Sequence, residues 1–225
     1  MNPETNAAKT NAADAGSYVA WVARTRRLLE SDSKVGHAFG VLVENLGSLN
    51  RPPGSVVVTG PERGAGRTTV CVGLGAALAA AGKKVAVVDC NLDRPHLHRC
   101  FDRPNFTGLT SALEGNTDLE NYGFDAAPNL RIIPTGPVSS GSWTLVNLPK
   151  LIGAVRALEE NRDVVLLDAP VADEVLAAPD HWGSFDGVLL VVHATRTPKG
   201  VARGLTDALL DARIDLFGVV LNGHV

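Results

Sequence analysis

The segment Gly60-Pro61-Glu62-Arg63-Gly64-Ala65-Gly66-Arg67-Thr68-Thr69 carries the residue types that grip a phosphate. Gly64 and Gly66 let the backbone approach an anion, amides opening a following helix point toward it, and the Thr68 hydroxyl can face Mg²⁺. A plain glycine turn without a ligand is the other reading of the same letters. The segment departs from the GxxxxGK[ST] pattern, since Pro61 stands at the first glycine and Arg67 at the lysine. Arg67 keeps the positive charge, but its planar fork is wider than an ammonium and does not slot between two phosphates in the same way.

Two carboxylates complete the constellation. Asp89 follows the run VAVV at 85–88, and Asp168 follows VVLL at 164–167. Ligands of open α/β sheets collect at the carboxyl ends of strands, so both side chains are expected to face the glycine loop. One would hold a metal or its water, and the other would accept a proton from an attacking hydroxyl. Either aspartate alone reads better as a strand-end residue capping a turn. The agreement of three strand ends is what points to a nucleotide.

These residues need a scaffold of strands and helices. SVVVT at 55–59 is a β-branched run, 68–81 is an Ala-rich helix stopped by Gly82, and 85–88 is the next strand, which makes a βαβ unit around the loop. Further apolar runs stand at 130–133, 164–167, 188–192 and 217–221, with helical patterns at 36–46, 148–159 and 198–211 and a short helix near 109–113. Runs without alternation suit strands covered on both faces, so the fold class is α/β, a doubly wound, mainly parallel sheet flanked by helices. The domain reading is a disordered tail at 1–16, an N-terminal helical segment at 17–54 with a basic amphipathic stretch at 17–30, and a nucleotide-binding domain at 55–225.

Composition narrows the function further. The 225 residues are 45% hydrophobic with a formal net charge of -3, enough for one core and without the basic excess that draws nucleic acid or anionic lipid. No apolar run reaches the roughly 20 residues of a bilayer span, and the polar N-terminus lacks a signal core, so a cytoplasmic location is expected. Cys71, Cys90 and Cys100 fit reduced, buried thiols better than a disulfide framework. His96 and His98 beside Cys90 and Cys100 lack a second ligand pair at a zinc spacing. Ser139–Ser142 reads as a polar loop, and Trp143 and Trp182 as packing residues.

The motifs RGAGRTT at 63–69, DCNLDRP at 89–95 and DAP at 168–170 together resemble the catalytic domain of the bacterial tyrosine kinases of capsule and exopolysaccharide export (BY-kinases), within the MinD/ParA-like P-loop ATPases. The likeness runs from about Gly36 to the end, supported by Gly108-Leu109, Pro134-Thr135-Gly136 and the closing Gly218-Val219-Val220-Leu221-Asn222. It implies ATP or ADP held with Mg²⁺ by Gly64, Ala65, Gly66, Arg67, Thr68 and Thr69, with adenine near Asn222. It further implies Mg²⁺ at Thr68, Asp89 and Asp168, and phosphoryl chemistry involving Asp89, Arg67 and Asp168. Its partner would be a membrane polysaccharide co-polymerase of the Wzz type, which would bring the protein to the inner face of the membrane.

Several positions depart from the family pattern. Asn91 stands where the second motif has an aspartate, Val171 replaces a proline, and residues 37–43 lack the ExxRxxR signature of ring assembly, which makes homo-oligomerisation an open expectation. Only Tyr18 and Tyr122 occur, so the tyrosine-rich tail is not expected. The resulting expectation is a BY-kinase-like ATP-binding protein, weak or inactive as a tyrosine kinase, that regulates exopolysaccharide or capsule synthesis and export. The alternatives are a MinD/ParA-like ATPase switch, against which Glu62 stands at the signature lysine position, and a non-catalytic scaffold with an empty pocket.

Overall fold

The computed structural model describes residues 34–115, 117–138 and 143–223, and the side chains from 147 onward in the last stretch. The tail at 1–16, the basic stretch at 17–30, the 139–142 loop and the Trp143 side chain lie outside the described residues.

The β-branched and leucine runs form the centre of the molecule because they can be dry on both faces. Strands β1 (Ser55–Thr59), β2 (Val85–Asp89) and β5 (Val164–Asp168) are buried along their whole length. They join β3 (Phe124–Ala127), β4 (Leu130–Ile133), β6 (Gly187–His193) and β7 (Leu216–Asn222) in a sheet of order β3-β4-β2-β5-β1-β6-β7. All neighbours pair parallel except β3, which runs antiparallel to β4 at the edge. The FDAA sequence of β3 contains no apolar run, which is why an edge strand with half-exposed residues escaped sequence reading.

Helices cover both faces. On one side, α1 (Lys34–Gly47) packs on α2 (Arg67–Ala80) and both share a hydrophobic cluster with β1, β2 and β4. The short α3 (Leu97–Cys100) adds Leu97 to the same cluster. The other side takes α4 (Leu109–Gly115), α5 (Trp143–Glu159), α6 (Ala172–Leu176), α7 (Pro179–Trp182) and α8 (Lys199–Asp211). Trp182 is buried there against Phe185, as its packing role required. Cys71, Cys90 and Cys100 are buried and unbridged.

Two boundaries matter for function. β2 and β5 extend one residue beyond the apolar runs and take in Asp89 and Asp168, and α2 starts at Arg67 rather than Thr68. The carboxylates are thus fixed as strand residues rather than hung on loops.

α1 is held on α2 by a close approach. A Cβ on Gly73 would stand 2.1 Å from the Phe39 ring, so the ring occupies space that only glycine leaves. Phe39→Ala should cost about 3 kcal/mol by emptying that site. Urea unfolding measures this, and a loss well under 1 kcal/mol would mean the helix is held elsewhere.

Candidate functional site

The glycine loop closes between β1 and α2 in a conformation that side chains oppose. Gly64 has φ +80° and Gly66, the residue capping α2, has φ +103°. Gly66 offers no side-chain cap, so the amides of Arg67, Thr68 and Thr69 in the first turn lack an intrahelical acceptor and open toward solvent or a ligand. Asn222, ending β7, lies against this turn and donates from Nδ2 to the Ala65 carbonyl at 2.8 Å. A Cβ on Gly66 would fall 1.9 Å from that same Nδ2.

Parallel pairing of β2 with β5 sets Asp89 directly beside Asp168. Both are buried, and their environments differ. Asp168 accepts the Thr68 hydroxyl on Oδ2 at 2.6 Å, while its Oδ1 is buried without a hydrogen-bond partner among the described residues. Burial, and then the Asp89 charge, push its carboxyl up to about 7. Asp89 instead receives three amides of its own loop, from Asn91 at 3.1 Å on Oδ1 and from His96 and Leu97 at 3.0 Å each on Oδ2. Burial raises it to about 6 against the pull of those amides. The Cys71 and Cys90 thiols are pushed up as well, first by burial and then by the two aspartates, which keeps them protonated.

An orphaned carboxylate oxygen, a threonine hydroxyl and free helix amides form the donor set a hard divalent cation and a phosphate require. The residues present therefore fit a Mg²⁺ nucleotide, with Thr68 and Asp168 toward the metal and the loop amides toward the phosphates.

Positive charge is distributed less simply. Arg67 is 7% exposed, its Nη1 donating to the Ala169 carbonyl at 2.7 Å. Arg63 bridges to Asp93 at 3.4 Å across the mouth of the crevice. Arg196, just past β6, donates to the Gly64 carbonyl, and Thr197 donates to Glu62 Oε1 at 2.7 Å.

The crevice itself has a volume of about 300 Å³. Of the residues singled out in the sequence, Gly64, Gly66, Arg67, Thr68, Thr69 and Asn222 line it. Ala65, Asp89 and Asp168 sit behind that lining, at 0–1% exposure. Sequence reading missed Arg196 and the Glu62–Thr197 tie. The signal for them was available, because residues 193–197 continue from the carboxyl end of a core strand, where Asp89 and Asp168 also stand.

With the geometry in place, likeness to known proteins becomes informative. A model of the CobQ/CobB/MinD/ParA nucleotide-binding domain matches residues 56–223. The chain belongs to that family. Within it, the chain lies on the BY-kinase branch. Over 172 residues it is 31% identical to EpsB of Ralstonia solanacearum, a relative named as a putative tyrosine-protein kinase, covering 74% of this chain. The chain spans 22% of the length of EpsB. Among solved structures, the CapA2B2 chimera superposes with a TM-score of 0.77 at 24% identity, covering 85% of this chain and 86% of the other. MinD of Pyrococcus horikoshii, solved with Mg-ADP, gives 0.61 at 23% identity, covering 74% and 69%. Both likenesses are of fold. Among the described residues, no helix of this BY-kinase relative is long and apolar enough to cross a membrane.

Proposed function

We propose that the crevice binds ATP and ADP with Mg²⁺, and that the protein regulates exopolysaccharide or capsule synthesis and export as an attenuated BY-kinase. It acts in the cytoplasm beside a membrane co-polymerase of the Wzz type. The observation that carries this reading is the Thr68 hydroxyl resting on Asp168 under the open start of α2, with one oxygen of Asp168 left without a partner. The relatives support it by name: EpsB is named as a putative tyrosine-protein kinase, and the MinD neighbour was solved with Mg-ADP.

In this reading the bound Mg²⁺ nucleotide supplies the transferable phosphoryl group. Thr68 and Asp168 would hold the metal, and the amides of residues 67–69 would hold phosphate oxygens. Asp89 shapes the second loop, since three amides already occupy its oxygens. Asp89 is also fully buried behind the crevice lining, out of reach of an attacking hydroxyl, which favours slow or absent phosphoryl transfer. The carbonyl contact of Arg67 acts in the same direction, because it engages one N–H of the guanidinium that would otherwise meet a phosphate. The MinD-type switch is disfavoured by Glu62, which is tied to Thr197 and cannot serve as a cation toward a second subunit.

Calorimetric titration with ADP and ATP, each with Mg²⁺ and with EDTA, tests the reading. Binding that tightens with Mg²⁺ is the expected result. Silence in all four titrations would overturn it and leave the scaffold with an empty pocket.

A further inference from the structure

We propose that Arg196 is the cation that reads the outer phosphates of a nucleotide in this crevice, a task the sequence pattern assigns to position 67. The inference rests on the nucleotide-binding reading above and deepens it by naming the residue that recognises the phosphates.

Two observations separate the two arginines. Arg67 is buried and commits Nη1 of its guanidinium to the Ala169 carbonyl, although it also lines the crevice. Arg196 is exposed, lines the crevice and donates to the Gly64 carbonyl. Its Nη1 lies 3.6 Å from the point a Cβ on Gly64 would occupy. The guanidinium thus rests in van der Waals range of the loop at Gly64, whose positive φ is what calls for glycine there.

The segment bearing Arg196 is pinned to the loop. Thr197 donates its hydroxyl to Glu62 at 2.7 Å and accepts from the His193 amide at 2.8 Å. The Ala194 amide bonds the Asn222 carbonyl at 2.8 Å, and Asn222 in turn bonds Ala65. A cation on such a tether is positioned before any ligand arrives, so little side-chain freedom is lost on binding.

Its charge is also unmatched. Arg63 has Asp93 as an ion-pair partner, whereas no carboxylate among the described residues pairs with Arg196. One contact to a carbonyl leaves further N–H donors of the fork facing the crevice, a geometry suited to two oxygens of a phosphate. The helix amides of residues 67–69 open on the same crevice, so both sources of positive potential meet there.

The test uses the full chain and its Arg196→Ala and Arg196→Gln variants, titrated with Mg-ADP, Mg-ATP and AMP. ADP and ATP affinities should fall about 10- to 100-fold in both variants, while AMP affinity stays level. The salt dependence of ADP binding should flatten in parallel. Arg196 is exposed, so melting of the nucleotide-free variants should match the wild type, which separates lost binding from lost folding. Unchanged ADP affinity would overturn the proposal while the nucleotide reading stood. An equal loss for AMP would overturn it too, by placing the guanidinium on the base or ribose. A wild-type chain that binds no nucleotide would overturn both.

Discussion

Asp168→Asn is expected to stabilise the nucleotide-free protein at pH 8 and to erase the Mg²⁺-dependent part of nucleotide affinity. The carboxyl of Asp168 is buried beside Asp89 and leaves Oδ1 unpartnered among the described residues, so its charged form is costly in the folded state. Its folded value of about 7 lies above the roughly 4 of an unfolded chain. Between those two values the folded protein binds more protons than the unfolded one, so the slope of stability with pH is negative. The favourable contribution is complete below about pH 4 and is lost as pH rises through about 7. Asparagine carries no charge and can still accept the Thr68 hydroxyl, so the variant should gain on the order of 2 kcal/mol at pH 8 and about a third of that at pH 5. Urea midpoints at the two pH values measure this. Equal midpoints at pH 8 would mean that the charge is already compensated in the folded chain. With Mg-ADP the ranking should reverse, the variant binding about 10- to 100-fold more weakly than the wild type.

Asp89→Ala should have the opposite sign. The carboxylate is the shared acceptor for the amides of Asn91, His96 and Leu97, and its removal leaves three donors unpaired in a buried place. At about 1 kcal/mol for each, the loss is about 3 kcal/mol, a large part of a small domain's stability. Asparagine is little better, since its NH₂ group would face a donor. Amide hydrogen exchange at His96 and Leu97 should speed up together with the drop in midpoint. Full stability with slow exchange would show that the loop is held by something other than this carboxylate. For kinase assays the implication is practical: activity lost in Asp89→Ala reports folding as well as chemistry.

These two aspartates look alike in the sequence, each ending a run of four apolar residues. In the fold they are register partners with separate roles, one wrapped by its own loop and one turned to Thr68 across 100 residues of chain. The different motifs that follow them, DCNLDRP and DAP, do not say which carboxylate is wrapped and which is left open. The difference lies in the path of the chain beyond each strand: the residues after Asp89 curl back to present amides, whereas the residues after Asp168 lead away into α6.

Arg67 illustrates the same limit. Its position in the loop was plain, and its lost correspondence to the usual lysine was plain too. The direction of its guanidinium depended on the Ala169 carbonyl, 102 residues away, being in reach. The place of Arg196 after a core strand was legible, but its contact with Gly64, 132 positions distant, was not, because neither residue type announces the other.

What the sequence determined by itself was everything set by neighbours along the chain. Unbroken β-branched runs make strands dry on both faces, glycines permit the positive φ values of the loop, and Gly82 stops the Ala-rich helix. That was enough for the parallel sheet, the glycine loop and the two acidic strand ends. Tertiary structure alone decided which carboxylate keeps an oxygen unpartnered among the described residues, which arginine is buried on the Ala169 carbonyl and which stays exposed on that of Gly64, and that FDAA becomes an edge strand. Those outcomes depend on hydrogen-bond acceptors and on burial, which arise only when strands far apart in the chain come to lie side by side.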